Sequence, residues 1–419
     1  MNRILMIAYH YPPIQGSSGV HRTLSFSKYL PSHGWLPSIL TVSRSGLTAY
    51  LDKNEAMIPL GTTVVRALSL DTVKHLSIFG KYPGRLAIPD RWITWLIPAV
   101  IMGYAHIRRH KPKIIFSTYP IATAHLIGYV LHRLTGIPWV ADFRDPMAQD
   151  GYPTDLPTWR AFAKIEKRVF KHAHRIVFAA PGALDYYRER FPSEISAKGV
   201  VIENGYEEEM FAGIKAVDGQ SKSPGACTTI LHSGVIYPSE RDPTQFFGAL
   251  KNLKLRGVLR AGSHRIMLRS SGHDALFSSM LEALDLTDVV VLGPPVNYQE
   301  ALEEMCACDA LLVLQSSGCN FQIPAKIYEY LRAGRTIVAL TDPEGDTAGV
   351  LRQAGVPWIA RLDSEHEIET MFEALLIKLG AENENSPVYD PNFVQSYSRE
   401  AKCVELAKEL DGVLLSSNS

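Results

Sequence analysis

The chain has 419 residues, of which 46% are hydrophobic and 21% are charged, a composition typical of globular proteins. One hydrophobic core does not normally extend over this length, so we expect two domains. Acidic and basic residues number 43 each, and this balance excludes the strongly basic surface of a dedicated nucleic-acid-binding protein.

The cysteines and the apolar segments limit the compartment and the membrane topology. Five scattered cysteines show neither zinc-site spacing nor a disulfide framework, which predicts no metal site and a cytoplasmic location. The apolar run that starts at Ile4 is too short for a signal peptide and predicts a buried first strand. The segment from Trp92 to Ala105 contains Pro98 and is too short to span a bilayer, so it predicts a buried or interfacial helix.

Short apolar runs alternate with helical stretches along the first half of the chain. We predict strands over residues 3–9, 37–42, 63–67, 114–118, 139–142, 175–179 and 199–202, and helices over 20–33, 92–110, 121–134 and 159–172. Strands that are apolar throughout and separated by helices are typical of a parallel, doubly wound sheet.

A polar segment, residues 207–226, interrupts this alternation and predicts an interdomain linker. Beyond it we predict strands over 228–232, 265–270, 289–292, 310–314, 336–340 and 358–360, and helices over 244–255, 276–284, 298–306, 325–333, 347–354 and 398–415. The predicted organisation is an N-terminal domain 1–205, a linker 206–227, a C-terminal domain 228–390 and a C-terminal helix in 391–419 that returns to the N-terminal domain. In open α/β sheets, ligands bind outside the carboxyl ends of the strands.

The turn after the first strand is rich in glycine and serine. It contains Gly16, Ser18 and Gly19 and leads into a predicted helix. Free backbone N–H groups at such a point, together with the positive end of the helix dipole, favour contact with a phosphate or a sugar hydroxyl. The alternative is a plain strand-to-helix turn in which a serine caps the helix.

Three charged residues, Asp142, Arg144 and Asp145, follow the fifth predicted strand. In one interpretation, Asp142 or Asp145 orients an acceptor hydroxyl and Arg144 lies near a phosphate. In the other, the three side chains form a set of ion pairs that stabilises the loop, because burial of a charged side chain without a partner is unfavourable.

Two further motifs predict an anion site in the C-terminal domain. Gly234 follows that domain's first strand and allows a ligand to approach the backbone, and Arg241 precedes a helix. We expect Arg241 either to contact a diphosphate or to pair with a neighbouring acidic side chain. In a later helix, Lys326 lies in the first turn, where the helix dipole disfavours a cation, so a nearby anion is expected. Glu329 lies on the same face and either accepts hydrogen bonds from a ribose or pairs with Lys326.

In this order, the Tyr-Pro-Pro and Gly-rich loop, Asp-Phe-Arg-Asp-Pro, Asn-Gly-Tyr and Pro-x-Lys-x-x-Glu-Tyr-Leu-x-x-Gly resemble glycosyltransferase family four over nearly the whole chain. The resemblance implies the GT-B fold, two doubly wound Rossmann-like domains that face each other across a cleft. It also implies retaining transfer from a UDP- or GDP-sugar, with no cofactor and no essential metal. By this resemblance, Arg241 and Lys326 hold the diphosphate, and Glu329 holds the ribose.

The sequence departs from the family pattern at two places. Relatives often have a glutamate eight positions before the one that matches Glu329, where this chain has Phe321; Asn320 or Gln322 is expected to contact the donor sugar instead. The histidine that many relatives place near residues 141–146 is absent.

For the acceptor, the resemblance implies a glycan or lipid-linked glycan of bacterial surface polysaccharide synthesis. Aromatic and basic residues around 91–113 predict a peripheral contact with the inner membrane; the alternative is a core helix with cations at its C-terminal end. Two other functions remain open: a nucleotide-sugar epimerase-like enzyme, and a non-catalytic nucleotide-sugar-binding partner subunit.

Overall fold

The computed structural model describes residues 1–15, 19–76, 84–214, 227–381 and 389–418. The chain divides into two compact units, Met1–Asn204 with Arg399–Ser419, and Gly205–Ser398. The passage from one unit to the other falls between Asn204 and Gly205.

The first unit is built on a seven-stranded parallel sheet with the order β3-β2-β1-β4-β5-β6-β7. Its strands are β1 (Asn2–Ile7), β2 (Trp35–Val42), β3 (Thr63–Ala67), β4 (Ile114–Thr118), β5 (Trp139–Arg144), β6 (Arg175–Phe178) and β7 (Gly199–Val201). Its α-helices within the described residues are α1 (Gly19–Tyr29), α2 (Thr72–His75), α3 (Leu96–His110), α4 (Ala122–Thr135), α5 (Leu156–His172), α6 (Pro181–Arg190), α7 (Pro192–Lys198) and the C-terminal α16 (Arg399–Asn418).

The second unit contains a six-stranded parallel sheet with the order β10-β9-β8-β11-β12-β13. Its strands are β8 (Thr228–Ser233), β9 (His264–Arg269), β10 (Val290–Gly293), β11 (Ala310–Leu314), β12 (Thr336–Leu340) and β13 (Ile359–Ala360). Its α-helices among the described residues are α8 (Glu208–Phe211), α9 (Thr244–Leu255), α10 (Asp274–Ala283), α11 (Tyr298–Ala307), α12 (Lys326–Ala333), α13 (Asp346–Gln353), α14 (Glu365–Gly380) and α15 (Pro391–Ser396).

Both sheets confirm the predicted strands. Each strand begins and ends within two residues of its predicted range, because strands buried on both faces are visible in the sequence as apolar runs bounded by turn residues. Every residue of β4 and of β11, for example, is buried. In each sheet the strand order reverses beside the first strand, between β1 and β4 and between β8 and β11. These are the positions where doubly wound sheets bind ligands.

The C-terminal helix α16 completes the hydrophobic core of the first unit. Leu406, Leu410 and Val413 belong to the same buried cluster as Ile4 and Trp35. The Trp35 indole N–H also donates to the Asp411 carboxylate at 3.0 Å. The helix is therefore an integral layer of this unit.

Residues 391–398, which the sequence analysis assigned to the C-terminal helix segment, lie in the second unit. Their helix α15 packs against α12, and the Tyr397 ring lies 4.8 Å from that of Tyr328. A bridge also pairs Ser398 with Tyr206. These contacts assign the segment to the second unit.

A buried ion pair connects α1 to the centre of the first sheet. The Arg22 guanidinium donates to both carboxylate oxygens of Asp142, at 3.1 and 2.9 Å, and the Asp142 side chain is 0% exposed. The remaining Arg22 donors reach the carbonyl oxygens of Ile202 and Glu203, each at 2.8 Å. The Thr118 hydroxyl, at the end of β4, donates to Asp142 at 2.7 Å. Arg22 thus links α1, β5 and the segment that follows β7.

Replacement of Leu410 by alanine tests the role of α16 in the first unit. Leu410 is 0% exposed, so Leu410→Ala is expected to lower the free energy of unfolding of this unit by about 2–5 kcal/mol. Leu415→Ala is the matched control on the same helix, because Leu415 is 75% exposed; its effect should stay within about 0.5 kcal/mol. Chemical denaturation measures both, and equal effects would contradict the packing role.

Replacement of Asp142 tests the buried ion pair. Asp142→Ala leaves the Arg22 guanidinium buried without its carboxylate, and we expect a loss of about 3–5 kcal/mol. Asp52→Ala is the control, because Asp52 pairs with Arg44 in water, with side chains 70% and 47% exposed, and such pairs contribute about 0–1 kcal/mol. Thermal and chemical unfolding measure the difference, and a neutral Asp142→Ala would refute the bracing role.

Candidate functional site

The candidate site in the second unit lies where β8 and β11 are neighbours. β8 ends at Ser233, and Gly234 follows with φ +112°, a conformation that favours glycine. A Cβ atom at residue 234 would lie 3.1 Å from the Lys326 Nζ atom. The loop after β8 therefore passes directly beside the lysine, with no side chain between them.

Lys326 is the first residue of α12, and its ammonium group points back to the end of β8. Nζ donates to the Ser233 carbonyl oxygen at 2.6 Å and lies 3.3 Å from His232 Nε2. Burial lowers the pKa of Lys326 to about 7, and the charge of the Arg241 guanidinium contributes to this shift. The lysine is therefore a cation that an incoming anion would stabilise.

His232 supports Lys326 from within the core. Its Nδ1 atom lies 2.9 Å from the Leu312 carbonyl oxygen, which can only accept, so Nδ1 carries the proton. Nε2 is then an acceptor and faces the Lys326 ammonium. Burial, followed by the charge of Lys326, holds the pKa of His232 well below its ordinary value. The sequence analysis did not select His232, although its position in β8, next to the predicted glycine loop, was a usable signal.

Arg241 supplies the second cation. Its Nη1 atom donates to the Val235 carbonyl oxygen at 2.6 Å, and its guanidinium lies 5.6 Å from the centre of the Tyr237 ring. The neighbouring Asp242 carboxylate accepts instead from the backbone and hydroxyl of Thr244. Within the described residues, the ion pairs involve neither Arg241 nor Lys326. Among the described residues, Lys326 beside Gly234 and Arg241 beside Val235 therefore lack an ion-pair partner, and the charge of Glu329 only partly offsets the lowered pKa of Lys326.

Glu329 lies one turn further along α12 and is 9% exposed. The Tyr298 hydroxyl, at the start of α11, donates to Glu329 Oε1 at 2.6 Å. A carboxylate can accept several hydrogen bonds, and this contact orients the Glu329 carboxylate. The next residue, Tyr330, accepts a hydrogen bond from the Ser233 backbone N–H at 3.1 Å through its hydroxyl. Through these two contacts, α12 packs against β8 and α11.

The other two predicted donor residues lie in the loop before α12, and Gln315 organises that loop. Gln315 donates to the carbonyl oxygens of Cys319 and Gln322 at 2.7 and 2.9 Å. The Asn320 amide donates to the Asp342 carboxylate at 2.7 Å, and its side-chain oxygen is buried without a hydrogen-bond partner. The structure thus connects Asn320 to the loop after β12, and the sugar-contact role of Asn320 and Gln322 stays a prediction.

In the first unit, the predicted catalytic residues differ in their burial and in their partners. Asp142 is fully buried and pairs with Arg22, whereas the sequence suggested a pair with Arg144. Arg144 has φ +60°, and its Nη1 atom donates to the carbonyl oxygens of Gly19 and Tyr119 at 3.0 and 3.4 Å. Asp145 is partly exposed and remains the carboxylate that solvent reaches in this motif. Gly16 and Ser18 lie outside the described residues.

Two histidines that the sequence analysis missed lie near Arg144. Burial lowers the pKa values of His10 and His21 to about 4 each. The charge of Arg144 adds to the shift of His10, and the charges of Arg399 and Arg144 add to that of His21. The His10 Nδ1 atom is buried without a hydrogen-bond partner. Both imidazoles are therefore neutral near pH 7. Both lie next to the Gly-rich turn in the sequence, His10 after β1 and His21 in α1, and this position could have identified them as candidate site residues.

No group of three or more His, Cys, Asp and Glu side chains suited to a metal ion occurs in the parts of the chain that the structure describes. Among the same residues, no helix is long and apolar enough to cross a membrane.

The comparisons with known proteins agree with this architecture. Residues 19–205 match the family described as glycosyl transferase 4-like domain. Sucrose-phosphate synthase from Thermosynechococcus elongatus is similar in structure with a TM-score of 0.71 at 12% identity, over 99% of this chain and 100% of that one. HepE from Anabaena, solved with UDP and glucose, has a TM-score of 0.65 at 12% identity, over 98% and 100% of the two chains.

A third similar structure is WaaG, a glycosyltransferase involved in lipopolysaccharide biosynthesis, with a TM-score of 0.57 at 11% identity over 97% of this chain and 95% of that one. No curated protein matches the sequence. At these identities the structural likeness establishes the fold, and the family match establishes the class of the first unit. Residues 19–205 therefore form a glycosyl transferase 4-like domain, within a chain whose two Rossmann-like domains have the GT-B fold.

Proposed function

We propose that this protein transfers a sugar from a UDP- or GDP-sugar to a glycan or lipid-linked acceptor, with retention at the anomeric carbon and without an essential metal. The observation that carries the proposal is the pair of cations, Lys326 beside Gly234 and Arg241 beside Val235, which the ion pairs among the described residues do not include. A nucleoside diphosphate is the anion of the family's donors, and it would supply the missing negative charge.

The chemistry requires stabilisation of a leaving group. When the bond between the anomeric carbon and the phosphate oxygen breaks, the nucleoside diphosphate leaves with the electron pair. Preorganised cations at the point where this charge develops lower the barrier without any reorganisation at the moment of reaction. Lys326 and Arg241 would act there, while Glu329, oriented by Tyr298, would accept hydrogen bonds from the ribose.

Asp145 is the carboxylate of the Asp142–Asp145 motif that solvent reaches, and it would orient the acceptor hydroxyl, with Arg144 and Gly19 beside it. Asp142 would act through its ion pair with Arg22. A role in bacterial surface polysaccharide synthesis at the inner membrane, on its cytoplasmic side, belongs to this proposal. An epimerase-like enzyme or a binding subunit would use the same donor site but would leave no sugar on an acceptor.

Replacement of Lys326 by methionine tests the donor site. The wild-type chain is expected to melt at a higher temperature with about 1 mM UDP or GDP, because a ligand at 100 times its Kd adds about 2.7 kcal/mol to stability. Lys326→Met and Arg241→Ala should each abolish this shift. The control is Lys251→Met, an exposed lysine of α9 in the same unit, which should keep it.

If neither UDP nor GDP raises the melting temperature of the wild-type chain, and a panel of nucleotide-sugars also fails, the donor proposal is wrong. Product analysis then separates the functions that share a donor site. Transfer of labelled sugar to an acceptor supports the transferase, a changed free nucleotide-sugar indicates an epimerase-like enzyme, and binding without either indicates a partner subunit.

Removal of the Glu329 carboxylate charge tests recognition of the ribose. Wild type is expected to bind UDP more tightly than 2′,3′-dideoxy-UDP, because the analogue lacks the two hydroxyls that would donate to Glu329. Glu329→Gln should reduce this preference by roughly tenfold, which corresponds to about 1.4 kcal/mol. The control is Glu344→Gln, since Glu344 is exposed in the loop after β12. Calorimetric titration measures all affinities, and an unchanged preference in Glu329→Gln would contradict the assignment.

The pH dependence of donor binding tests the state of Lys326. Because the pKa of Lys326 is about 7 in the empty protein and a bound diphosphate would raise it, binding takes up a proton above this pH. The affinity for UDP should therefore fall as pH rises from 7.5 to 9, by up to about tenfold per unit. The terminal phosphate of UDP titrates near pH 6, like a phosphate monoester, and does not contribute. Lys326→Arg keeps its charge throughout, so its affinity should stay flat, and a wild-type profile as flat as that would refute the assignment.

A further inference from the structure

Helix α3 of the first unit carries its large apolar side chains on the outside. Ile97, Ile101 and Tyr104 are 70%, 64% and 40% exposed, and their spacing of four and three residues places them in one stripe. The residues that α3 buries include the small Ala99 and Gly103. A surface helix of a globular protein normally has the opposite arrangement.

Packing on the inner face explains why the stripe cannot turn inward. A Cβ atom at Gly103 would lie 2.8 Å from Leu131 of α4 and 2.9 Å from Leu40 of β2. α3 therefore lies too close to its neighbours for a larger side chain on this face. The inner face of α3 packs against α4 and β3, and cations end the helix, as the core-helix alternative expected. The stripe is the opposite, outer face of the same helix.

The surface that continues from this stripe is basic. Arg108 follows Tyr104 by one helical turn, and Arg109, Lys111 and Lys113 are exposed beyond it. No acidic residue occurs in the sequence between Asp90 and Asp142. A cavity of about 880 Å³ opens at this end of the helix, with Arg108, Lys111, Lys113 and His174 among its lining residues and no carboxylate among them.

We propose that this α3 face docks on the surface of an anionic lipid bilayer. Ile97, Ile101 and Tyr104 would enter the interfacial layer, while the arginines and lysines at the end of the helix contact headgroup phosphates, one of which fits the cavity. Apolar side chains next to a surface of one charge are the features that hold helices at anionic membranes. A second copy of the same face is disfavoured as the partner, because its cations would repel these cations. The docking does not depend on donor binding.

Flotation with vesicles tests the proposal on the full chain, without donor or acceptor. The wild-type protein should float with vesicles of phosphatidylcholine that contain about 30% phosphatidylglycerol, and far less with phosphatidylcholine alone. Ile97→Ser/Ile101→Ser should lower the partition coefficient roughly tenfold or more, because two apolar side chains lose their burial. Arg108→Glu/Lys113→Glu should lower it by at least about tenfold.

Two control variants lie in the second unit and match these changes. Ile377→Ser removes an isoleucine that is 68% exposed on α14, and Lys251→Glu/Arg265→Glu reverses two exposed cations; both should float like the wild type. Thermal unfolding verifies that all variants fold. The proposal is overturned if either α3 variant floats like the wild type, or if the controls lose binding equally. It is also overturned if the wild type forms a dimer that Ile97→Ser/Ile101→Ser dissociates, because the stripe would then bind a second copy.

Discussion

The arrangement of the first unit depends on one buried ion pair, Arg22 with Asp142. A charge removed from water is stable only when partners replace its hydration. Here the guanidinium faces one carboxylate and the carbonyl oxygens of Ile202 and Glu203, and the carboxylate has Thr118 as a further donor. These contacts hold α1, β4, β5 and the segment after β7 in a single relative position. Arg144, the last residue of β5, and Asp145 follow this fixed point in the chain.

In the second unit, by contrast, the candidate site contains two cations without an ion-pair partner among the described residues. Lys326 and Arg241 have backbone carbonyl acceptors, but the ion pairs among the described residues do not include them. A paired buried charge is a structural brace, whereas partly buried cations that repel each other are poised for an anion. Burial, followed by the charge of Arg241, lowers the pKa of Lys326 to about 7. Charge balance thus distinguishes the frame of the protein from its candidate donor site.

Helix α3 has apolar side chains that likewise lack a partner among the described residues of the folded unit. Small residues face inward because α4 and β2 lie close, and the large residues therefore remain in water unless another surface covers them. Cations without nearby acidic residues in the sequence extend this exposed stripe. An exposed apolar patch next to one sign of charge indicates a binding surface. The second unit thus has a polar region suited to an anion at the carboxyl edge of its sheet, and the first unit has an apolar, basic face on α3.

The amino-acid sequence was enough to predict the strands, the doubly wound class and the places of Gly234, Arg241, Lys326 and Glu329 in them, because buried parallel strands and helix starts have local signatures. It did not identify α14, although the apolar spacing of Ile368, Phe372 and Leu375 is present. Only the tertiary structure paired Asp142 with Arg22, 120 residues apart, placed His232 behind Lys326 and turned the isoleucines of α3 outward. Each of these depends on which side chains meet across elements distant in sequence, and local periodicity carries no information about such contacts.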